Sequence, residues 1–195
     1  MKKILLFMLL ISIISFSGCS SSVTQGEFED LESTISKKMG EDIAIIEFED
    51  LELSFSMIMY DTEDNIKEAS WNYDKFDNEK KLSLTEEVKK QQEKEFNSEF
   101  LYGPYEGGIP LIRTVVMNKE ENLYNFEDEE FKEEQINEQT VYYYELKNNQ
   151  THQITIFVPL DRIVYGSRFE LSTGDLNKET TFEYIEKLIE KTQGK

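Results

Sequence analysis

Leu51-Glu52-Leu53-Ser54-Phe55-Ser56-Met57-Ile58-Met59-Tyr60 is the stretch on which the fold turns. Leu51, Leu53, Phe55, Met57 and Met59 alternate with Glu52, Ser54, Ser56, Ile58 and Tyr60. A period of two sends successive side chains to opposite faces of a pleated strand. The first set therefore predicts a core-facing side and the second a half-wet one. Asp61-Thr62-Glu63-Asp64-Asn65 reads as a turn, and Ala69, Trp71 and Tyr73 then alternate on a partner strand.

Further strands follow outward. Ile43 to Phe48 is an apolar run rich in β-formers, and Leu111 to Met117 is strand-like, with Leu123 to Phe126 as its expected partner. Thr140 to Lys147 and Thr151 to Val158 predict two arms of a hairpin bent at Asn148-Asn149-Gln150, and Ile163 to Ser172 predicts another strand. The helix signals lie between and at the ends. Phe28, Leu31, Ile35 and Met39 fall at helical spacing before Gly40, which offers a stop. Ser83-Leu84-Thr85-Glu86 reads as a capping box for a helix running to about Phe100 with a thin apolar stripe, hence a surface helix. Thr180 with Glu183 predicts the cap of a last helix whose Phe182, Ile185, Leu188 and Ile189 form one face. The expected fold is α+β, a single domain over 27–195 with an antiparallel, meander-like sheet, helices packed on one face and a C-terminal amphipathic helix.

The N-terminus carries a different signal. Lys2 and Lys3 precede an uncharged run from Ile4 to Phe16, too short to span a bilayer and shaped like an export signal. Phe16-Ser17-Gly18-Cys19 closes it and contains the one cysteine of the chain. This string resembles the lipobox of bacterial lipoproteins, with Phe16 where that class usually has leucine. The resemblance covers residues 1–19. It implies cleavage between Gly18 and Cys19, removal of 1–18, a diacylglyceryl and acyl lipid on Cys19, and an acylated tether over 19–26. An exported chain with one cysteine has no internal disulfide to make, and polar Ser20, Ser21 and Ser22 argue against burial of the thiol. The expected location is the extracytoplasmic face of a cell membrane, and the Lys/Glu/Asn/Ile-rich composition leans towards a Gram-positive bacterium.

Charge narrows the partners. With 40 Asp+Glu against 21 Lys+Arg, the net charge is −19, and signal removal would make it two units more negative. Such a chain lacks the clustered cations that phosphate backbones require, so nucleic acid is an unsuitable partner. It is repelled by anionic headgroups, which leaves membrane attachment to the lipid anchor. An envelope protein with a basic surface, or a cationic peptide, remains the fitting partner.

Catalytic patterns are missing from the sequence. His152 is the one histidine and stands beside the hairpin bend without a nucleophile motif, and HExxH, GxSxG, GxGxxG and Walker A patterns are not found. A Cys/His zinc site is excluded by residue count. Asp61, Glu63 and Asn65 open like a calcium loop, but Ile66 replaces the glycine and Asn72 the bidentate glutamate. No catalytic residue, metal ligand or cofactor is therefore assigned apart from the covalent lipid on Cys19. The loop Tyr102-Gly103-Pro104-Tyr105-Glu106-Gly107-Gly108-Ile109-Pro110 could present two tyrosines to a partner, making Tyr102, Gly103, Pro104, Tyr105, Gly107 and Gly108 candidate binding residues. The bland reading, which loops more often satisfy, is an ordinary helix-to-strand connection whose tyrosines fold back on the core. Tyr142-Tyr143-Tyr144 must place rings on both faces of a strand. The function expected from these features is a membrane-anchored binding or accessory module. The alternatives are an envelope hydrolase using a carboxylate pair hidden among many, and a carrier of a small apolar ligand.

Overall fold

The computed structural model describes residues 25–122, 124–128 and 130–194. The expected signal peptide, Gly18, Cys19 and most of the tether lie outside the described residues. Helix α1 (Gln25–Met39) leads into an extended segment, then strands β1 (Glu52–Tyr60), β2 (Ile66–Lys75) and β3 (Lys81–Leu82), helix α2 (Glu86–Glu95), and strands β4 (Ser98–Tyr102), β5 (Tyr105–Glu106) and β6 (Ile109–Asn118). Strands β7 (Lys132–Ile136), β8 (Gln139–Lys147), β9 (His152–Pro159) and β10 (Ile163–Glu170) and helix α3 (Lys178–Thr192) complete the order. The architecture is α+β. Eight strands form an antiparallel sheet in the order β4-β1-β2-β6-β10-β9-β8-β7, and β3 pairs separately with β5.

The sheet is less of a meander than its sequence implies. Strands β7 to β10 wind back step by step, but β4 docks outside β1, after which the chain crosses to place β6 beside β2. The central seam therefore joins β2 to β6 and β6 to β10.

One sheet face carries the core. Ala69, Trp71 and Tyr73 of β2 point there as the alternation predicts, opposite Val116, Thr114 and Ile112 of β6. Strand β1 departs from its pattern. Leu53 pairs with Tyr73 but Phe55 pairs with Asn72, so Ser54 is an extra residue in a bulge. An inserted residue exchanges the two faces of everything beyond it. Beyond the bulge Ser56 and Ile58 face the core, fully buried, while Phe55, Met57 and Met59 turn to the other face, half-buried.

Helices α1 and α3 cover the core face. Phe28, Leu31 and Ile35 of α1 and Tyr184, Ile185, Leu188 and Ile189 of α3 enter the same apolar cluster, each such side chain contributing roughly 1.5–3 kcal/mol by leaving water. Gly40 ends α1 with φ +70, the left-handed conformation that suits glycine at a helix stop. The cap of α3 is Asn177 rather than Thr180: Asn177 and Thr180 exchange side-chain hydrogen bonds in a capping box. Thr85, not Ser83, caps α2. That helix stops at Glu95, short of Phe100, because Asn97 turns with φ +46 into β4. As its thin stripe implies, α2 buries no residue. It lies beside the other sheet face at the β4 edge, where Lys89 sits over the Phe100 ring.

Two expected strands change character. Leu123–Phe126 was expected to pair with β6, but its described residues form no strand; Tyr124 and Phe126 instead cross the second face and pack on Phe157 and Tyr142. The acidic stretch after it, expected as a solvated loop or helix, contains the edge strand β7, whose Lys132 to Gln135 side chains are exposed and which is held by backbone pairing to β8. Charge suits an edge strand, since it discourages further pairing.

Candidate acidic cleft

Ile43, Ala44, Ile45 and Ile46 are all buried, yet they form no strand. Both faces of this extended run are covered, so it has no ladder to satisfy its backbone, and side chains do so instead. The Ser36 hydroxyl accepts from Ile43 N at 2.9 Å, the Tyr165 hydroxyl from Ala44 N at 2.9 Å, and Glu32 from Ile45 N at 2.8 Å. Tyr73 donates its hydroxyl to Ile46 O at 2.6 Å, and Lys191 donates to Ile45 O. Lys191 also bridges to Glu32 at 2.6 Å, tying α3 to α1 through this segment.

Where the segment leaves the core it turns acidic. Glu47, Glu49 and Asp50 are exposed around half-buried Phe48. Phe48 stacks on Tyr184 of α3 at 5.2 Å and meets Tyr73 edge-on at 4.9 Å. Facing them across a cleft of about 580 Å3 are the end of β2, the loop after β10 and the first two turns of α3. Phe48, Phe76, Phe169, Leu176 and Tyr184 supply the apolar lining, and Glu47, Glu49, Asp50 and Glu183 supply carboxylates with no ion pair to any described residue. Of the two lysines here, Lys75 is taken by Asp175 and Lys187 stands on the exposed side of α3. Beneath the lining, Thr114 bridges Ser167 and Tyr184, and burial pushes the Tyr184 phenol up to about 12. That network is a sealed structural floor. The cleft thus combines an apolar lining with exposed carboxylates at its rim.

The residues singled out in the sequence lie elsewhere. Tyr102 and Tyr105 lean together with ring centres 5.3 Å apart and clamp Lys80, whose ammonium lies 5.4 and 5.0 Å from the two centres. Lys80 is buried, donates to the Tyr102 hydroxyl at 2.9 Å and bridges to Glu52 at 3.2 Å. Gly103 has φ +66, and a Cβ there would run into the Ser54 carbonyl oxygen, so the loop is pressed against the β1 bulge. Pro104 is half-buried and its carbonyl accepts from Ser83 N. Gly107 is exposed, and a Cβ on Gly108 would meet Asp74 and Phe76. Of this stretch Glu106, Gly107, Ile109 and Pro110 are exposed, while the two tyrosines are half-buried around Lys80.

His152 Nε2 lies 2.7 Å from Glu145 Oε1 across the hairpin, and the His152 hydrogen bond holds the Glu145 carboxyl below its usual range. Asp61 uses both carboxylate oxygens to accept from Asn65 and Glu63 within its own turn. Among the described residues one carboxyl is held above its ordinary value: Asp74, raised by burial. No grouping of three or more potential metal ligands occurs among the described residues, and none of the described helices is long and apolar enough to cross a membrane.

No family model, curated protein or solved structure matches the chain.

Sequence reasoning missed the cleft because Ile43 to Phe48 reads as a strand, which would have separated Glu47 from α3. The signal was present in Glu47-Phe48-Glu49-Asp50, where one aromatic interrupts an acidic run directly after buried residues.

Proposed function

We propose that the chain is a lipid-anchored extracytoplasmic binding module whose cleft takes a basic segment of an envelope protein or a cationic peptide. The observation that carries this reading is the set of four unpaired carboxylates, Glu47, Glu49, Asp50 and Glu183, around an aromatic floor. Carboxylates supply attraction to lysine or arginine heads, and the Phe48 and Tyr184 rings accept the aliphatic stems that such side chains carry. The anchor rests on Cys19 following the apolar run and Gly18.

The hydrolase alternative asks for two converging carboxyls with separated pKa values, and Asp74 stands alone in its raised value. A carrier of an apolar ligand asks for a closed pocket, whereas this cleft is rimmed by charge.

The test is crosslinking on intact cells followed by affinity recovery, comparing wild type, Cys19→Ala, and a cleft variant combining E47Q, E49Q, D50N and E183Q. A partner recovered with wild type and lost with the cleft variant is expected, with recovery reduced for Cys19→Ala. Equal recovery by the cleft variant would remove the cleft from the account. Equal recovery by Cys19→Ala, released from cells, would remove the anchor.

A further inference from the structure

The sheet face turned away from α1 and α3 holds a second site of opposite charge. The chain has three arginines, and two of them, Arg113 in β6 and Arg168 in β10, stand directly opposite each other in the register of the central seam. Both are exposed on this face, and neither makes a hydrogen bond or ion pair with its side chain to any described residue. Like charges directly opposite in an antiparallel pair destabilise it. In a chain with twice as many acids as bases, a carboxylate at either neighbouring position would remove that cost. Glu170, two residues beyond Arg168 on the same face, feels its charge but is occupied. Burial pushes the Glu170 carboxyl up, and hydrogen bonds from Ser172 and Gln153 together with the charge of Arg168 bring it below its ordinary value.

The surroundings of the pair form a recess of about 170 Å3 rather than a flat sheet. Phe157 of β9 lies over Gly166, where a Cβ would come within 3.2 Å of its ring. Tyr124 packs on Phe157 at 4.5 Å, and Tyr144 closes the same aromatic wall. The recess is thus bounded by two guanidiniums on one side and flat rings on the other. A cavity of roughly 150 Å3 accommodates a benzene-sized ring. Guanidinium forks match the paired oxygens of carboxylate and phosphate.

We propose that this recess binds a small oxyanion, carboxylate or phosphate, that carries one flat ring. Arg113 and Arg168 share the anion, and the ring lies against Phe157 and Tyr124. The site is separate from the acidic cleft and of opposite sign, so a basic peptide and this anion do not compete for it.

Titrating isotope-labelled protein with phenyl phosphate or benzoate, followed by amide and arginine side-chain NMR, tests this. Shifts confined to Arg113, Val115, Tyr124, Phe157, Gly166 and Arg168 are expected for both. R113Q and R168Q should each weaken binding about tenfold or more. Benzyl alcohol, which keeps the ring without the charge, and inorganic phosphate, which keeps the charge without the ring, should each bind at least about tenfold more weakly. Thermal melts of the unliganded variants provide an independent reading: R168Q should melt at or above wild type, because it relieves the opposed charges. No shifts up to about 10 mM of either aryl anion, or wild-type affinity in either glutamine variant, would overturn the proposal. Equal binding of inorganic phosphate would overturn the ring's part in it. An R168Q melt well below wild type would overturn the claim that the pair is held uncompensated.

Discussion

Tyr165→Phe tests how the wall of the acidic cleft is held. The substitution keeps the buried ring and removes the hydroxyl that accepts from Ala44 N at 2.9 Å. Ala44 is buried, so its amide then has neither a protein acceptor nor bulk water. An orphaned buried donor costs about 1–3 kcal/mol, and because the ring remains there is no large cavity to add. Tyr73→Phe removes the opposite kind of group, a donor to Ile46 O, and leaves a carbonyl. Under-satisfied carbonyls are better tolerated than orphaned amides, so that change should cost only about 0.5–1.5 kcal/mol. Urea denaturation at pH 7 should therefore rank Y165F below Y73F. Hydrogen exchange gives the local reading: the Ala44 amide should exchange faster in Y165F, while the Ile45 amide, held by Glu32, changes less. Burial also raises the Tyr165 phenol above its ordinary value of 10.0. Below that value both folded and unfolded chains keep the proton. Above it the unfolded chain loses the proton first, so wild type loses stability that Y165F retains and the gap narrows. A Y165F cost under about 0.5 kcal/mol with unchanged Ala44 exchange would refute the argument, and packing alone would then hold the segment.

Two further outcomes follow from the loop and the bulge. Gly103→Ala forces a side chain into a left-handed backbone and against Ser54 O, and should cost at least about 2 kcal/mol in denaturant midpoint analysis, whereas Gly107→Ala should cost less, since that residue has open space around it. Asp74→Asn should stabilise the fold at pH 7, because burial raises the Asp74 carboxyl and its charged form is the costly one. As pH falls, the folded chain takes up this proton before the unfolded one does. Wild type therefore gains stability down to the ordinary value of 3.8, and the advantage of D74N should shrink over that window in paired thermal melts. A constant advantage across pH 4 to 7 would count against the raised value.

Most of the strands and both core helices could be read from the sequence because each carries its own period. Ala69, Trp71 and Tyr73 alternate without interruption, and Ile185, Leu188 and Ile189 repeat at helical spacing, so local pattern and burial coincide. Strand β1 was legible as a strand but not as an oriented one. The bulge at Ser54 shows only in the pairing with β2 and in the close approach of the loop carrying Gly103, both long-range features. Strand β7 carries no apolar period at all, since its stability comes from pairing with β8. Ile43 to Ile46 shows the reverse case, in which a strand-like composition meets no partner strand and side-chain hydroxyls replace the ladder. Tyr102 and Tyr105, in a loop rich in glycine and proline, read either as a binding surface or as a connection folded back on the core. Lys80, which they enclose, lies 22 and 25 positions earlier, beyond the reach of any local rule. The two candidate sites share this limit. Arg113 and Arg168 become neighbours only through the β6 and β10 pairing, and Glu47 meets Glu183 only once α3 closes over the sheet.

The central claim is that the cleft, and not the net charge, recognises a cation. Fluorescence anisotropy of a labelled lysine- and arginine-rich peptide at low salt tests it most directly, with two charge-matched variants as titrands. One neutralises Glu47, Glu49, Asp50 and Glu183; the other neutralises Glu120, Glu121, Glu133 and Glu134, exposed residues outside the cleft. Four exposed contacts at about 0.5 kcal/mol each amount to about 2 kcal/mol, roughly a thirtyfold change in affinity. The account predicts that loss for the cleft variant and a change of less than about threefold for the other, both at low salt where screening is weakest. Equal weakening by the two variants would mean that the protein attracts cations through its total charge alone, and the cleft would have no special part in recognition.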